Sequence, residues 1–207
     1  MSSYATAVPR SPAASVPRAG TGPGNAMSPA LDVLSLKFVI WAQDAAATVL
    51  DIGCGDGVAT LALLARGGRV LAVDPSAAAL HRLVERTPSE ECHRLRVRLG
   101  QLPTVDFKAP SFAGIHAARV LHLLDDRAIE QSLRKFYRWL YPRGRLFLSA
   151  LPPLDEAELC RKVSAAGFSV AESSTYLLPW EGSEECCSVI ARCPSPDTNT
   201  PSIRIHT

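Results

Sequence analysis

The stretch "VLDIGCGDGVATLALL", residues 49–64, joins two hydrophobic patterns of different period. Its first four residues are a short apolar run typical of a buried strand, and its last seven repeat apolar side chains at helical spacing. Between the two runs, Gly53, Gly55 and Gly57 allow positive φ angles and a close approach of the backbone. A turn of this kind presents free amides at the positive end of the helix that follows. The stretch therefore predicts a ligand-binding turn, and the glycines alone leave open whether it holds a phosphate, another cofactor or nothing.

Strand and helix patterns alternate along the rest of the chain. This alternation predicts an α/β fold, a three-layer sandwich with a Rossmann-like, seven-stranded and mostly parallel sheet. The last two strand patterns follow each other without a helix between them, so the last strand is expected to be antiparallel. The expected strands are "TVLDI", "RVLAVD", "RLRVRL", "AGIHAAR", "RLFLSAL", "FSVAESSTYLL" and "CCSVIARC". Ligands of such sheets bind at the carboxyl ends of the strands, and the glycine turn lies there.

Composition divides the chain into one folded domain and two tails. Residues 1–28 are rich in Ser, Ala, Pro and Gly and hold no acidic residue, so they are expected to be disordered. This Ser-rich, acid-free start with Arg10 and Arg18 also weakly resembles an organelle transit peptide or a bacterial secretion leader. The domain is predicted over residues 29–193, its first helix capped at Ser28-Pro29 and largely buried. Residues 194–207 are expected to be a second disordered tail.

The amino-acid counts exclude several classes of protein. The 207 residues are 47% hydrophobic and 20% charged with a net charge of +2, typical of one soluble domain without a nucleic-acid-binding stripe. No apolar run is long enough to span a bilayer. The six cysteines form neither a CxxC pair nor a cluster with metal-ligand spacing, so no metal site is expected. Buried free thiols in a reducing, cytoplasmic compartment are the interpretation that fits them.

Two aspartates indicate what the glycine turn holds. The spacing is GxGxG rather than the GxGxxG of dinucleotide-binding turns, and Asp51 precedes the first glycine. A carboxylate there is a poor neighbour for a pyrophosphate and a suitable one for a cationic amine. Asp74 ends the next strand pattern, where a diol would give its carboxylate a partner. The alternative is that Asp74 caps the following helix together with Ser76.

Several motifs in register resemble those of class I S-adenosylmethionine-dependent methyltransferases. They span most of residues 30–193 and are "VLDIGCGDG", "VLAVDPS", "RLGQLPTVDF", "SFAGIHAARVLHLLDD", "WLYPRGRLFLSA" and "SAAGFSVAES". The chain departs from the family pattern at three positions. Gln101 stands where an acid is frequent, Ala113 replaces an Asp, and Arg143 replaces a glycine.

The resemblance implies S-adenosyl-L-methionine as cofactor and a set of residues that bind it. Gly53 and Gly55 would pass under the methionine part, Asp51 would help bind its amine, and Asp74 would accept both ribose hydroxyls. The other residues implied in cofactor binding are Cys54, Pro75, Gln101, Leu102 and Arg119.

Two histidines follow from the same motifs. His122 lies just past the fourth strand, near the expected position of the transferred methyl group, and is the candidate catalytic base or substrate ligand. It could instead only shape the pocket. His116 falls in the middle of the fourth strand and is expected to be structural.

The methyl acceptor is not named by the sequence. Methyl transfer is a single displacement that depends mainly on positioning, so the chain needs no separate catalytic motif. A small molecule is the leading acceptor class, a protein side chain is second, and residues 29–47 are the candidate lid. No nucleic-acid or membrane partner is expected, and the oligomeric state is left open. Two other hypotheses remain, a non-catalytic cofactor-binding protein of the same fold and a nucleotide-dependent oxidoreductase, which the glycine spacing disfavours.

Overall fold

The computed structural model describes residues 31–178 and 185–195. The strands are β1 (Val49–Ile52), β2 (Val70–Asp74), β3 (Leu95–Leu99), β4 (Phe112–Ala118), β5 (Leu140–Ala150), β6 (Ser169–Leu177) and β7 (Glu185–Arg192). The helices are α1 (Val33–Ala42), α2 (Val58–Ala65), α3 (Ala77–Arg86), α4 (Asp126–Trp139) and α5 (Glu156–Ala165), with short 3-10 turns at Cys92–Arg94 and Leu121–Leu123. No helix within the described ranges is long and apolar enough to cross a membrane.

The strands form one sheet in the order β3-β2-β1-β4-β5-β7-β6. Strands β1 to β5 pair in parallel, and β7 pairs antiparallel with both β5 and β6. The α/β class, the seven strands and the antiparallel last strand are therefore confirmed. The chain builds one side of the sheet from β1 to β3 and then crosses back to β4, which makes the carboxyl ends of β1 and β4 the switch point.

Side chains of the central strands alternate between two hydrophobic layers. In β1, Val49 packs with α1 and α2, whereas Leu50 packs into the cluster that includes α4 and α5. In β5, Phe147 packs in the same layer as Val49, and Leu148 packs in the same layer as Leu50. This period of two on a strand buried on both faces produces the continuous apolar runs seen in the sequence.

The start and the burial of α1 differ from the prediction. The helix begins at Val33, and the Asp32 carboxylate accepts from the amides of Leu34 and Ser35, both at 2.9 Å. Asp is among the strongest N-cap residues because its side-chain oxygen satisfies amides that have no helical partner. The predicted cap at Ser28-Pro29 lies outside the described residues. The prediction that this helix is largely buried was wrong. Its outer face leaves three apolar side chains exposed, those of Val33, Leu36 and Ile40.

The junction between α4 and β5 also differs. The amphipathic stretch "RAIEQSLRKFYRWLY" predicts a helix to Tyr141, but the helix ends at Trp139 and the strand starts at once. Pro142 explains the early end, since the residue before a proline is disfavoured in helical conformation. Arg143 then takes a positive φ of 65° at the position where the family pattern has glycine.

Candidate functional site

The glycine turn is held against both neighbouring strands. The amides of Gly53 and Cys54 donate to the Val73 carbonyl of β2 at 2.8 and 3.1 Å. Gly53 has a φ of 72°, and a Cβ built on it would overlap Cγ2 of Val120, which follows β4. The first glycine is therefore required by a close approach between the turn and the end of the fourth strand.

Gly55 differs from Gly53 in what surrounds it. Its φ is 51°, yet a Cβ built on Gly55 would meet no atom within 4 Å. Gly55 lines an open cleft of about 400 Å³ at the carboxyl end of the sheet. The missing side chain at this position keeps space free in the cleft rather than inside the packed protein.

The cleft is walled by the ends of the central strands and by the first turns of α1 and α2. Its lining residues include Ser35, Asp51, His116, Arg119, Ser149 and Tyr176. Arg119 follows β4 with a φ of 54°, and its amide donates to the Ser149 carbonyl at 2.8 Å. A non-glycine residue in this region is uncommon and is often found at functional sites.

A buried chain of hydrogen bonds forms one wall of the cleft. Asp51 accepts from Thr60 Oγ1 at 2.6 Å through Oδ2, and its Oδ1 lies 3.0 Å from His116 Nδ1. The other ring nitrogen of His116 lies 2.9 Å from Ser35 Oγ. Ser35, Asp51 and His116 are each only 2% exposed. The side chains of four residues, one each from α1, β1, α2 and β4, thus satisfy one another's hydrogen-bonding groups within this wall.

Asp74 belongs to the turn rather than to the helix after it. Its Oδ2 accepts from the Gly55 amide at 2.9 Å and its Oδ1 from the Ser76 amide at 2.8 Å. The N-cap of α3 is Ser76, whose Oγ accepts from the Ala79 amide at 3.2 Å. The alternative in which Asp74 caps that helix is therefore wrong. Each Asp74 oxygen keeps a second lone pair for a ligand.

Burial and charge act together on Cys54 in the middle of the turn. Its pKa is raised well above the usual range, first by desolvation and then by the negative charges of Asp51, Asp74 and Asp56. The thiol is protonated at neutral pH, so Cys54 is not a nucleophile here. The shift also indicates that negative potential dominates near the turn, which favours a cationic ligand group.

Comparison with known proteins identifies the domain built around this turn. A family model described as "Methyltransferase domain" matches residues 49–144, which span the glycine turn, the Asp74 strand and the end of β4. Residues 49–144 carry this methyltransferase domain. The resemblance found in the sequence is thereby confirmed.

One curated relative and two solved structures show how far the similarity of this methyltransferase domain extends. The cypemycin N-terminal methyltransferase of a Streptomyces species is 32% identical over 110 residues, which are 52% of this chain and 43% of that protein. The chain therefore matches less than half the length of that relative.

The structures resemble the methyltransferase domain over most of its length. The 1,6-didemethyltoxoflavin-N1-methyltransferase of Burkholderia thailandensis was solved with bound 1,6-didemethyltoxoflavin and S-adenosylhomocysteine. It has a TM-score of 0.66 and 24% identity over 79% of this chain and 78% of its own. The glycopeptide N-methyltransferase MtfA, solved with S-adenosylmethionine, has a TM-score of 0.66 and 15% identity over 78% and 86%. These likenesses establish the fold.

The methyltransferase domain brings some of the predicted cofactor residues together and leaves others outside the cleft. Five residues of the predicted set line it: Asp51, Gly53, Cys54, Gly55 and Arg119. Four lie beyond it, where β2 and β3 end: Asp74 and Leu102 are buried, and Pro75 and Gln101 are exposed. Their roles stay predictions.

His122 does not line the cleft of the methyltransferase domain. It is half-buried in the one-turn helix Leu121–Leu123 after β4. His116, expected to be structural, is the histidine that the fold places in the cleft wall.

Sequence reasoning missed Ser35 and Thr60. Neither belongs to a motif, and each reaches Asp51 or its partner only because a helix packs over the strands. The pairing of Asp51 with His116 had a signal, since β1 and β4 are neighbours at the switch point and place these residues side by side.

Proposed function

We propose that this chain transfers the methyl group of S-adenosyl-L-methionine to an acceptor, with a small molecule as the leading acceptor class. The observation that carries the proposal is the joint position of Asp51, the open Gly55 and Asp74 at one turn of a methyltransferase domain. The two described relatives of known structure were solved with S-adenosylmethionine or its demethylated product, which supports the choice of cofactor.

The residues of the cleft fit the methionine end of that cofactor. The space above Gly55 is free, and a Cβ would project into it. Asp51 lies in the cleft wall, where Thr60 and His116 hold its carboxylate in place. An anionic wall of this kind stabilises the ammonium and the sulfonium of the ligand.

The end of β2 fits the ribose. Asp74 is 8% exposed, and its two oxygens are each held by one backbone amide, so the carboxylate is fixed in place. A fixed carboxylate with free lone pairs accepts hydrogen bonds from both hydroxyls of a diol. Pro75 and Leu102 would flank the adenine beside it, and the amide oxygen of Gln101 would accept a hydrogen bond from the adenine amine.

Catalysis by this domain depends mainly on how the methyl acceptor is positioned relative to the cofactor. The cofactor, when bound, supplies an activated methyl group and a neutral sulfur as leaving group. The protein has to hold the acceptor in line with that methyl group and exclude water, which itself lowers the barrier by several kcal/mol, roughly 7–11 in well-aligned systems. The lining residues Ser35, Arg119, Ser149 and Tyr176 are the nearest described groups for orienting an acceptor.

Nitrogen is the acceptor atom we favour. The cypemycin, toxoflavin and glycopeptide relatives are all named as N-methyltransferases or as acting at an N-terminus. The first of these names supports a second candidate, a peptide or protein amine. A cytoplasmic location and the lack of nucleic-acid or membrane partners stay predictions of the sequence.

Calorimetric titration tests the cofactor, and a labelled-methyl assay tests the reaction. We expect S-adenosylmethionine and S-adenosylhomocysteine to bind with micromolar affinity and NADPH not to bind. A chain that binds neither sulfur compound at millimolar concentration would refute the proposal, and binding without label transfer to metabolite or peptide pools would favour a non-catalytic cofactor-binding protein.

A further inference from the structure

The Ser35–His116–Asp51 chain has the hydrogen-bond order of a proton-transfer relay. Ser35 Oγ lies 2.9 Å from His116 Nε2, and His116 Nδ1 lies 3.0 Å from Asp51 Oδ1. A carboxylate beside Nδ1 orients the ring and stabilises the imidazolium that forms when Nε2 takes a proton. All three residues line the cleft in which the methyl acceptor would bind.

Packing holds the ring of His116 in this orientation. Phe147 of β5 stacks on it with ring centroids 4.7 Å apart and an interplanar angle of 16°. Phe38 of α1 packs at 5.7 Å, and Thr60 fixes the far oxygen of Asp51 at 2.6 Å. Since no described side chain of opposite charge other than Asp51 pairs with the ring, this carboxylate alone compensates an added proton.

We propose that Ser35 and His116 accept the proton that an amine acceptor loses on methylation; this rests on the proposed function. An alkylammonium acceptor has no lone pair until one N–H bond breaks. Its proton passes to Ser35 Oγ while the Ser35 hydroxyl proton moves to His116 Nε2, which leaves an imidazolium beside Asp51. The freed nitrogen lone pair forms the N–CH3 bond as the methyl–sulfur bond breaks, with its electron pair staying on sulfur. The proton then returns to solvent after product release.

Acyl transfer by Ser35 is a weaker interpretation of the same geometry. A serine nucleophile needs backbone amides placed to stabilise an oxyanion. The amides nearest to Ser35 in α1 are already used, because Ser35 N donates to Asp32 Oδ1 at 2.9 Å and Leu36 N to the Asp32 carbonyl at 2.8 Å. The geometry therefore favours proton transfer over attack by the hydroxyl.

The first test is the protonation state of His116, read without any acceptor. Nitrogen-15 histidine spectra of the full chain saturated with S-adenosylhomocysteine should show Nδ1 protonated and Nε2 unprotonated at the assay pH, with the signal assigned from a His116→Asn variant. Only an unprotonated Nε2 can take a proton from Ser35. A neutral ring protonated at Nε2 would overturn the proposal.

The second test compares methyl transfer to benzylamine, which must lose a proton, with transfer to thiocyanate, which has none to lose. Ser35→Ala and His116→Asn should lower kcat for benzylamine by about 100-fold, the usual scale of general base catalysis, with KM little changed. The same two variants should lower the rate of transfer to thiocyanate at least about tenfold less than the rate with benzylamine, and Ser35→Thr should recover most of the benzylamine rate.

A matched control removes another buried serine hydroxyl. Ser132 of α4 is 0% exposed, donates to the Ala128 carbonyl at 2.7 Å and does not line the cleft. Ser132→Ala should leave both rates unchanged. Equal rates for Ser35→Ala and Ser132→Ala on benzylamine would overturn the relay, as would labelling of Ser35 by a fluorophosphonate, which reports a nucleophile.

Calorimetry separates this inference from the function on which it rests. If Ser35→Ala binds S-adenosylhomocysteine like the unmodified chain and loses no activity, the proposed relay is wrong and the proposed methyltransferase function is unaffected. If the unmodified chain binds no S-adenosylhomocysteine, the proposed function itself fails.

Discussion

The backbone amide of Gly55 donates a hydrogen bond of 2.9 Å to Oδ2 of Asp74. The glycine turn after β1 and the acidic end of β2 are thus one structural unit. Two residues that the motifs assign to different parts of the cofactor position each other before any ligand binds. This prearrangement lowers the cost of ordering the site on binding.

Asp74→Asn tests that unit. The amide nitrogen of asparagine would face the Gly55 or the Ser76 amide, so one charge-assisted hydrogen bond is lost at a cost of roughly 1.5–3 kcal/mol in unfolding free energy. We expect the affinity for S-adenosylhomocysteine to fall at least tenfold, about 1.4 kcal/mol, in calorimetric titration.

The control for Asp74 is Asp125→Asn. Asp125 also accepts a backbone amide, that of Ala128 at 2.7 Å, but it caps α4 outside the cleft. Asparagine is an equally good cap, so stability and cofactor affinity should both be preserved. Unchanged binding by Asp74→Asn would show that the ribose assignment is wrong.

Gly55→Ala tests whether glycine is needed at this position for the free space in the cleft or only for its positive φ. Alanine at a positive φ costs about 1–2 kcal/mol wherever it occurs. Gly67 also has a positive φ, 85°, but is exposed and lies outside the cleft, so Gly67→Ala should pay the same conformational cost. Thermal unfolding of the two variants should agree within about 1 kcal/mol, whereas only Gly55→Ala should lose cofactor affinity. Equal affinities would mean that the ligand does not lie above Gly55.

Gly53→Ala should destabilise the fold through a specific overlap. Its Cβ would meet Cγ2 of Val120, so an overpacking cost of about 1–3 kcal/mol adds to the cost of the positive φ. Val120→Ala removes the overlapping methyl group. In denaturant titration the double variant should recover part of the loss, giving a favourable coupling energy of about 1 kcal/mol. Simple additivity of the two losses would contradict the close approach between the turn and the end of β4.

Cys54 should react slowly with iodoacetamide at pH 7–8. Burial, followed by the charges of Asp51 and Asp74, raises its pKa, and only the thiolate is alkylated. The exposed Cys92 provides the internal comparison in the same sample. Peptide mass spectrometry should find Cys92 modified first, and the Cys54 rate should still be rising when pH passes the usual thiol range. Equal rates for both cysteines would exclude the raised pKa.

Much of the fold follows from local patterns in the sequence. Val49–Ile52 and the other strands are short apolar runs, and the helices between them carry the spacing of one buried face, so their order already requires a parallel sheet. Two of the differences have local causes. The Asp32 carboxylate caps α1, so that helix begins at Val33, and Pro142 ends α4 before Tyr141.

The predicted cofactor residues Asp51, the glycines and Asp74 could be named from the sequence because they lie within a single strand–helix–strand unit, and their roles stay predictions. The hydrogen-bonded wall that His116 and Ser35 form with Asp51 could not be predicted in this way. Ser35 and His116 are 81 positions apart, and the expectation that His116 is only structural came from its place in the middle of a strand.

The sequence by itself determined the order of the elements, the turn and the type of ligand that the turn suits, since each depends on residues close together in the chain. Only the tertiary structure decided which side chains line the cleft. The packing of α1 over β1 and β4 brings Ser35, His116 and Asp51 into one hydrogen-bonded line. Contacts between distant residues arise when apolar faces are buried against each other, and no local pattern specifies which polar side chains that burial places together.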